Sequence, residues 1–360
     1  MSIKLFKTAL LIAFSMMLVS CGGKGIVAPD GSGIYRVLGV DFPKPVISLI
    51  TFCRDIPDPD SVYGINREIF IMNPDGQYQH RLTFDPAEDD YPAFSPDGLA
   101  LAFVSNRSSD GVGSHDIYRM DSIKRIVQLT NETWQFDSHA TDWGPGYITA
   151  AQINQLIGAP FDVGRVIRLD PSGKVADFID TGHIVSYDPA SGTSPNLLVF
   201  SARPQGATYF GDLELYVLTE GISEAVRVTY LGTGGPEYED LVFTRNAQFD
   251  STGTKIIFQT NYWDNNWEIG YLSLTGDFAA PEPVRLTYSP ADDVEPCWDQ
   301  SGNWYAWSSN RNGNFEIYKQ MVWDPNSPTP IPPITRLTDT PEDESNPDWG
   351  PYYSSSGLEG

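Results

Sequence analysis

The feature that most restricts the fold of this chain is an internal repeat with a period of about 50 residues. A phrase ending in Leu-Thr, or a near equivalent, recurs along the sequence. The copies are Leu82-Thr83, Leu129-Thr130, Val228-Thr229, Leu286-Thr287 and Leu337-Thr338, with a degraded member near Ile179-Asp180-Thr181. A period of this length is typical of propeller blades or of another array of repeated modules.

The clearest copy begins with the phrase Tyr91-Pro-Ala-Phe-Ser-Pro-Asp-Gly98. Its Asp-Gly pair is a hairpin signal, because glycine tolerates positive φ and aspartate bonds nearby backbone. Residues 99–104 are apolar throughout, as expected of a strand covered on both faces. Ser105-Asn-Arg107, Asp116-Ile-Tyr118 and the Leu-Thr phrase follow. This unit reads as four strands, which is one propeller blade.

The first copy lacks its opening strand and begins within the unit, at residues 46–52. The missing phrase appears at the far end of the chain as Glu344-Ser-Asn-Pro-Asp-Trp-Gly-Pro351. Pairing of this C-terminal strand with the first blade would remove the exposed sheet edges. The sequence therefore predicts an all-β fold, a closed six-bladed β-propeller of four-stranded blades over residues 46–352, with 353–360 as a tail.

The N-terminus has the features of an export signal. Residues 1–20 contain Lys4, Lys7 and a short apolar run, and they end in Leu18-Val-Ser before Cys21. This ending resembles the bacterial lipobox, which implies cleavage before Cys21 and acylation of that residue. An ordinary secretory signal is the alternative. Residues 21–45 are then a lipid anchor and tether. Gly22 after the cysteine resembles the sorting signal of outer-membrane lipoproteins, which implies a protein anchored in the outer membrane, on its periplasmic face or at the cell surface.

The repeat also carries a family resemblance. Over residues 46–352, the repeat resembles the WD-like repeat of TolB propellers. The resemblance lies in its opening phrase and in its Ser-Asn-Arg and Asp/Glu-Ile-Tyr motifs. TolB has a further N-terminal domain, for which residues 22–45 are too short. The resemblance implies a TolB-like propeller on a lipid anchor that contacts other envelope proteins.

The formal net charge of −24 restricts the partners. Such a surface repels nucleic acid and anionic lipid head groups, and it favours basic partners or cations. Solubility is the alternative explanation of the charge. We expect a monomer that contacts the membrane through its lipid anchor, and that binds an envelope protein or a basic peptide but no nucleic acid.

Acidic residues recur where the blades begin, and we expect them at one end of the central channel. A shared acidic funnel would bind a basic peptide or a hard cation such as calcium through oxygen ligands. Alternatively, these acids cap local turns. No resident cofactor is expected. The candidate residues are Asp89, Asp90, Asp137, Asp293, Glu295 and Glu344.

Three further sets of residues have alternative interpretations. Arg107 and Arg311 are predicted to pair with Asp116 and Glu316 within their blades. Trp263 either contacts a partner or a sugar, or packs against its own blade. Cys53 and Cys297 form a disulfide or remain as buried free thiols.

Motifs for catalysis are lacking. The chain has no Gly-x-Ser-x-Gly phrase, no glycine-rich phosphate loop, and four histidines without a shared register. The leading hypothesis is a non-catalytic protein- or peptide-binding scaffold. The alternative is a metal-dependent carbohydrate-active enzyme or a glycan-binding propeller.

Overall fold

The computed structural model describes fourteen parts of the chain, and its backbone forms only strands, turns and loops there. At residues 34–35, 136–140, 152–154, 163–165, 175–178 and 186 the description covers the backbone alone. The described parts are 34–43, 48–61, 64–107, 115–130, 136–154, 163–179, 181, 186–194, 197–204, 211–219, 224–232, 241–274, 282–323 and 329–352.

The described strands, numbered in chain order, form six four-stranded antiparallel sheets and one hairpin. The hairpin consists of β1 (Ile34–Val37) and β2 (Val40–Pro43). Blade one contains β26 (Glu344–Trp349), β3 (Ile50–Pro57), β4 (Ile65–Met72) and β5 (His80–Arg81). Blade two contains β6 (Asp89–Phe94), β7 (Leu101–Ser105), β8 (Asp116–Met120) and β9 (Ile126–Gln128).

The other four blades repeat this order. Blade three contains β10 (Phe136–Gly144), β11 (Tyr147–Asn154), β12 (Val163–Leu169) and β13 (Val175–Ile179). Blade four contains β14 (Ser186–Ser191), β15 (Leu198–Ala202), β16 (Glu214–Leu218) and β17 (Val226–Arg227). Blade five contains β18 (Thr244–Phe249), β19 (Lys255–Thr260), β20 (Glu268–Ser273) and β21 (Val284–Arg285). Blade six contains β22 (Asp293–Trp298), β23 (Trp304–Ser309), β24 (Glu316–Met321) and β25 (Thr335–Arg336).

The C-terminal strand closes the ring. β26 pairs antiparallel with β3, with Glu344 opposite Arg54 and Trp349 opposite Ile50. The indole Nε1 of Trp349 donates to Ser48 Oγ at 3.0 Å. The predicted closed six-bladed propeller is therefore confirmed.

The second strands of the blades are largely buried where they are described, because neighbouring blades cover both their faces. All five residues of β7 are buried. At the seam between blades six and one, Ile50 and Phe52 pack in one apolar cluster with Cys297 and Ile317. This packing explains why these strands are apolar without alternation.

The hairpin of β1 and β2 corrects part of the predicted tether. Residues 34–43, which were assigned to the tether at 21–45, are ordered against the propeller. Leu38 and Phe42 are fully buried in a cluster that contains core residues of blades one and two. The turn has positive φ at Leu38 (49°) and Gly39 (72°), which matches a two-residue hairpin.

The predicted signal peptide, Cys21 and the C-terminal tail at 353–360 lie outside the described residues. Within the described parts, we find no helix with the length and apolar character needed to cross a membrane.

Gly76 offers a test of the seam between blades one and six. It has φ +76°, and a Cβ there would lie 2.2 Å from the backbone oxygen of Leu337. Gly64 has φ +74°, but a Cβ there would meet nothing within 4 Å. We expect Gly64→Ala to destabilise the fold by about 1–2 kcal/mol, the usual penalty of left-handed backbone. Gly76→Ala should lose roughly 1–3 kcal/mol more, because it also overpacks the seam.

Urea-induced unfolding of the two variants measures this difference. Equal losses in the free energy of unfolding would show that the turn at Gly76 does not pack tightly against blade six.

Candidate functional site in the central channel

The first strands of the blades line a central channel, and a bulge recurs in them. In five blades the pairing register shifts at the third residue of this strand. That residue has positive φ in every one of them: Tyr91 (52°), Asp188 (48°), Asn246 (49°), Glu295 (54°) and Asn346 (50°). Bulges re-aim side chains, and all five residues line a narrow cavity of about 110 Å³. The repeated bulge thus decides which side chains line the channel.

Three of the predicted funnel acids lie in the blades rather than on the channel surface. Asp89, Asp293 and Glu344 each begin a first strand, and all three are fully buried. None of them lines the narrow cavity or the wider one described below.

Each of these acids has an arginine partner in its own blade. Arg107 donates to both oxygens of Asp89, at 2.6 and 2.5 Å. Arg311 does the same to Asp293, at 2.7 and 2.8 Å. Arg54 donates to Glu344 at 2.5 Å. All three acids therefore form ion pairs inside their blades and do not contribute to the surface of either cavity.

The predicted partners of Arg107 and Arg311 were therefore wrong. The arginines reach back to the first strand, while Glu316 pairs with Arg336 of the fourth strand. The same third-to-fourth-strand pair recurs as Glu68–Arg81, Glu214–Arg227 and Glu268–Arg285, at 2.6 to 2.8 Å.

The Leu-Thr phrase supports this network. Thr83 Oγ1 accepts from the backbone N–H of Ile69 at 2.9 Å, and Thr338 Oγ1 accepts from that of Ile317 at 2.9 Å. In each case the N–H belongs to the residue after the third-strand acid. The threonine thus holds the fourth strand against the third, and the neighbouring leucine fills the seam.

Asp90 and Glu295 are brought together through Asn346. Asp90 Oδ1 accepts from Asn346 Nδ2 at 2.8 Å, and Glu295 Oε2 accepts from the Asn346 backbone N–H at 2.7 Å. Asp90 is also paired with Arg67 at 2.7 Å. Glu295 lines the narrow cavity, and burial raises its pKa. Asp137 lies on β10, and its side chain is outside the described residues.

Two channel acids were missed by the sequence analysis. Asp142 and Asp348 occupy the same repeat position, one residue before a tryptophan, in two copies of Asp-Trp-Gly-Pro. That shared phrase was the available signal, but it was interpreted only as a strand opening. With Gln248 of blade five, they are the polar residues at this position, where the even blades have Ala93, Ala190 and Cys297.

Asp142 and Asp348 each bind the next blade with one oxygen. Asp348 Oδ2 accepts from the Phe94 backbone N–H and Asp142 Oδ2 accepts from that of Ser191, both at 2.7 Å. Gln248 Nε2 lies 3.5 Å from Asp348 Oδ1. Neither carboxylate has an ion-pair partner among the described residues.

Their surroundings make both groups harder to ionise. Burial raises the pKa of Asp142 to about 6. Burial, together with the negative charge of Asp142, raises the pKa of Asp348 to about 7. The two carboxylates therefore repel each other in the same low-dielectric space, and a cation placed there would relieve that repulsion.

A wider cavity opens on the far side of these carboxylates. It has a volume of about 350 Å³, and Asp142, Gln248 and Asp348 line both this cavity and the narrow one. Its lining includes one aromatic residue from each of five blades at a single repeat position, and all but Trp143 are buried in the apolar clusters between blades: Phe94, Trp143, Phe249, Trp298 and Trp349. This space, which we name the wide mouth, combines the carboxylates of Asp142 and Asp348 with polar residues such as Gln248 and Gln300.

Trp263 and Cys53 lie outside both cavities, whereas Cys297 lines the narrow one. Trp263 is half-buried in blade five, and its ring carbon lies 2.6 Å from where a Cβ on Gly270 would be. Cys53 and Cys297 are buried free thiols whose pKa values are raised by burial. In the described parts of the chain, no group of three His, Cys, Asp or Glu side chains could hold a metal ion.

Glu344 gives the fold a testable pH dependence. Burial and a hydrogen bond with Glu316 raise its pKa from 4.5 to about 7. Between these values the folded state keeps a proton that the unfolded state has lost. The contribution of Glu344 is therefore complete below about pH 4.5 and disappears as the pH rises through 7, on the order of 1–3 kcal/mol in all.

Urea unfolding between pH 5 and 8 measures this slope. Glu344→Gln, which cannot ionise, should make the free energy of unfolding fall less steeply with pH, whatever its absolute value. Glu282→Gln, at an exposed position, should leave the slope unchanged. An unaltered slope in Glu344→Gln would contradict the raised pKa.

Comparison with known proteins places the fold. No protein-family model matches the chain, and no curated protein matches it. TolB from Acinetobacter baumannii superposes with a TM-score of 0.64 at 15% identity, over 86% of this chain and 68% of that one. A putative TolB from Agrobacterium tumefaciens gives 0.56 at 12% identity, over 86% and 99%. Kuenenia stuttgartiensis hydrazine synthase gives 0.60 at 16% identity, over 85% and 47%. At these identities the likeness concerns architecture, and this architecture is the TolB-like β-propeller that the repeat predicted.

Proposed function

We propose that this protein is a non-catalytic cell-envelope lipoprotein that binds a basic segment of a partner protein at the wide mouth of its channel. The observation that carries the proposal is the presence of two partly buried carboxylates, Asp142 and Asp348, that line the cavity without a cationic partner among the described residues. A lysine or arginine side chain entering the wide mouth would supply the missing positive charge.

The chemistry of the wide mouth favours such a ligand. Ion pairs and hydrogen bonds to carboxylates strengthen where water is partly excluded. The net charge of −24 would also draw a basic partner toward the protein.

The location in the envelope rests on the sequence. The lipobox-like ending at Cys21 and the apolar run before it support export and acylation. Two or more acyl chains would anchor the protein stably, because each buried methylene contributes about 0.8 kcal/mol. The TolB-like fold is compatible with such an envelope role.

The non-catalytic role rests on the residues of the site, since one fold hosts many functions. The carboxylates of the wide mouth hold backbone N–H groups of neighbouring blades. The sequence has no Gly-x-Ser-x-Gly nucleophile phrase. This arrangement suits the recognition of a cation.

A binding measurement with defined peptides tests the site. Titration calorimetry of the full chain in detergent should detect binding of tetralysine and none of tetraglutamate. Asp142→Asn keeps an acceptor for the Ser191 N–H but removes the charge, so its affinity for tetralysine should fall roughly tenfold. Since only ionised carboxylates attract the peptide, affinity should rise with pH between 5.5 and 8.

Glu282→Gln removes one charge at an exposed position and is the matched control. It should bind tetralysine like the unmodified protein. If Asp142→Asn and Asp348→Asn both bind as tightly as this control, the wide mouth is not the site.

The partner itself can be sought in cells. A photo-crosslinking residue at Gln300, which is exposed and lines the wide mouth, should capture a defined envelope protein. Capture should decrease in the Asp142→Asn/Asp348→Asn double variant. Recovery of nothing beyond what an unrelated acylated propeller captures would argue against a protein partner.

A further inference from the structure

Blade five departs from the repeat at three positions that cooperate in blades two and six. The first-strand acid is replaced by Thr244, where blade six has Asp293. The arginine that binds this acid is replaced by Tyr262, where blade six has Arg311. The two threonines Thr244 and Thr260 face each other instead, with their hydroxyls 3.3 Å apart.

The third departure moves an aromatic ring to the surface. In four blades, the residue two positions after the third-strand acid is a buried aromatic opposite an aromatic of the second strand: Phe70, Tyr118, Tyr216 and Tyr318. In blade five this residue is Gly270, opposite Phe258. Trp263, from the loop before the strand, packs over Gly270. The ring of blade five is thus half-buried rather than enclosed.

The loop that presents Trp263 contains backbone of an uncommon kind. Asp264 (φ 58°) and Asn265 (φ 59°) are consecutive non-glycine residues in the left-handed region. Aspartate and asparagine are the non-glycine residues that adopt this region most readily. They form a turn that places exposed Asp264 and Asn265 beside half-buried Trp263.

Trp263 is part of a continuous row of rings on blades five and six. Tyr262 and Trp263 have ring centroids 5.9 Å apart. The Arg285 guanidinium lies 5.7 Å from the Trp263 ring and 4.4 Å from the Tyr288 ring. Tyr288 in turn lies 6.1 Å from Trp323. Tyr262 and Tyr288 are 45% and 59% exposed. We name this row the aromatic strip.

We propose that the aromatic strip binds a neutral oligosaccharide. The C–H faces of pyranose rings match aromatic faces that are apolar and partly exposed. Sugar hydroxyls need both acceptors and donors, which Asp264 and Asn265 supply beside Trp263. The proposal concerns a different surface from the wide mouth and does not depend on the proposed function.

The charges of the strip decide the class of sugar. Arg285 pairs with Asp264, whose side chain is 69% exposed, at 2.6 Å and with buried Glu268 at 2.8 Å, so the strip has no uncompensated positive charge that would attract an anionic sugar. The protein as a whole carries −24, which opposes an anionic polysaccharide. A neutral oligosaccharide needs no positive charge in the strip and is not repelled by the negative charge of the protein.

Tyr230 provides a matched control for the substitution of Tyr288. Tyr230 of blade four occupies the same repeat position as Tyr288, is 65% exposed, and stacks on Arg227 at 4.4 Å. Among the described residues, however, Arg227 stacks on no second ring. Tyr230→Ala therefore removes the same side chain from an equivalent stack without touching the strip.

Binding of three hexasaccharides, chitohexaose, cellohexaose and maltohexaose, to the full chain in detergent tests the proposal by titration calorimetry and tryptophan fluorescence. At least one should bind, and Tyr262→Ala and Tyr288→Ala should each weaken it roughly fivefold or more. Tyr230→Ala should leave the affinity unchanged. Thermal unfolding of each variant confirms that it is folded.

Three results would overturn the proposal. One is that no hexasaccharide binds at millimolar concentration; another is that Tyr230→Ala weakens binding as much as Tyr288→Ala. The third is loss of sugar binding in Asp142→Asn with Tyr288→Ala unaffected, which would put the sugar in the channel. Tetralysine binding is measured in the same samples, so failure of the strip and failure of the wide mouth are distinguishable.

Discussion

Pairing of the C-terminal strand with the first blade is the interaction on which the other features depend. The channel exists only while β26 lies against β3, because Asn346 and Asp348 are on β26 and face residues from the other blades. The same strand supplies Glu344 to the seam with Glu316. An open row of six sheets would keep its local hydrogen bonds, but the carboxylates that form the wide mouth would no longer surround one space.

The fold was predictable because equivalent residues make the same contacts in each copy of the repeat. Leu82 and Leu337 are both buried, and the threonines after them accept the same kind of backbone hydrogen bond. Such local contacts leave a periodic trace in the sequence. The opening phrase at residues 344–351 could be assigned to blade one for the same reason, since it lacked the rest of its unit.

The candidate site was less predictable, because each first strand contains a bulge. Beyond a bulge, the direction of a side chain no longer follows from its position in the sequence. Counting from the opening proline selected Asp89 and Glu344, which are buried within their own blades and paired with arginines there. The residues that line the channel are those at the bulge and after it, such as Glu295 and Asp348. Alternation along a strand fails at a bulge, and the bulge depends on pairing between strands that the sequence alone does not reveal. The hairpin at 34–43 was missed for a related reason: its short apolar run has no partner in the repeat.

That hairpin has a mechanical consequence. Before it reaches β3, the chain passes through the hairpin of β1 and β2, in which Leu38 of the turn and Phe42 of β2 are buried beside blades one and two. Tension applied at the N-terminus must therefore first extract these two side chains from the core. The force reaches the hydrogen bonds between β3 and β26 only after these side chains have left the core. The hairpin therefore protects the strand pair that closes the ring.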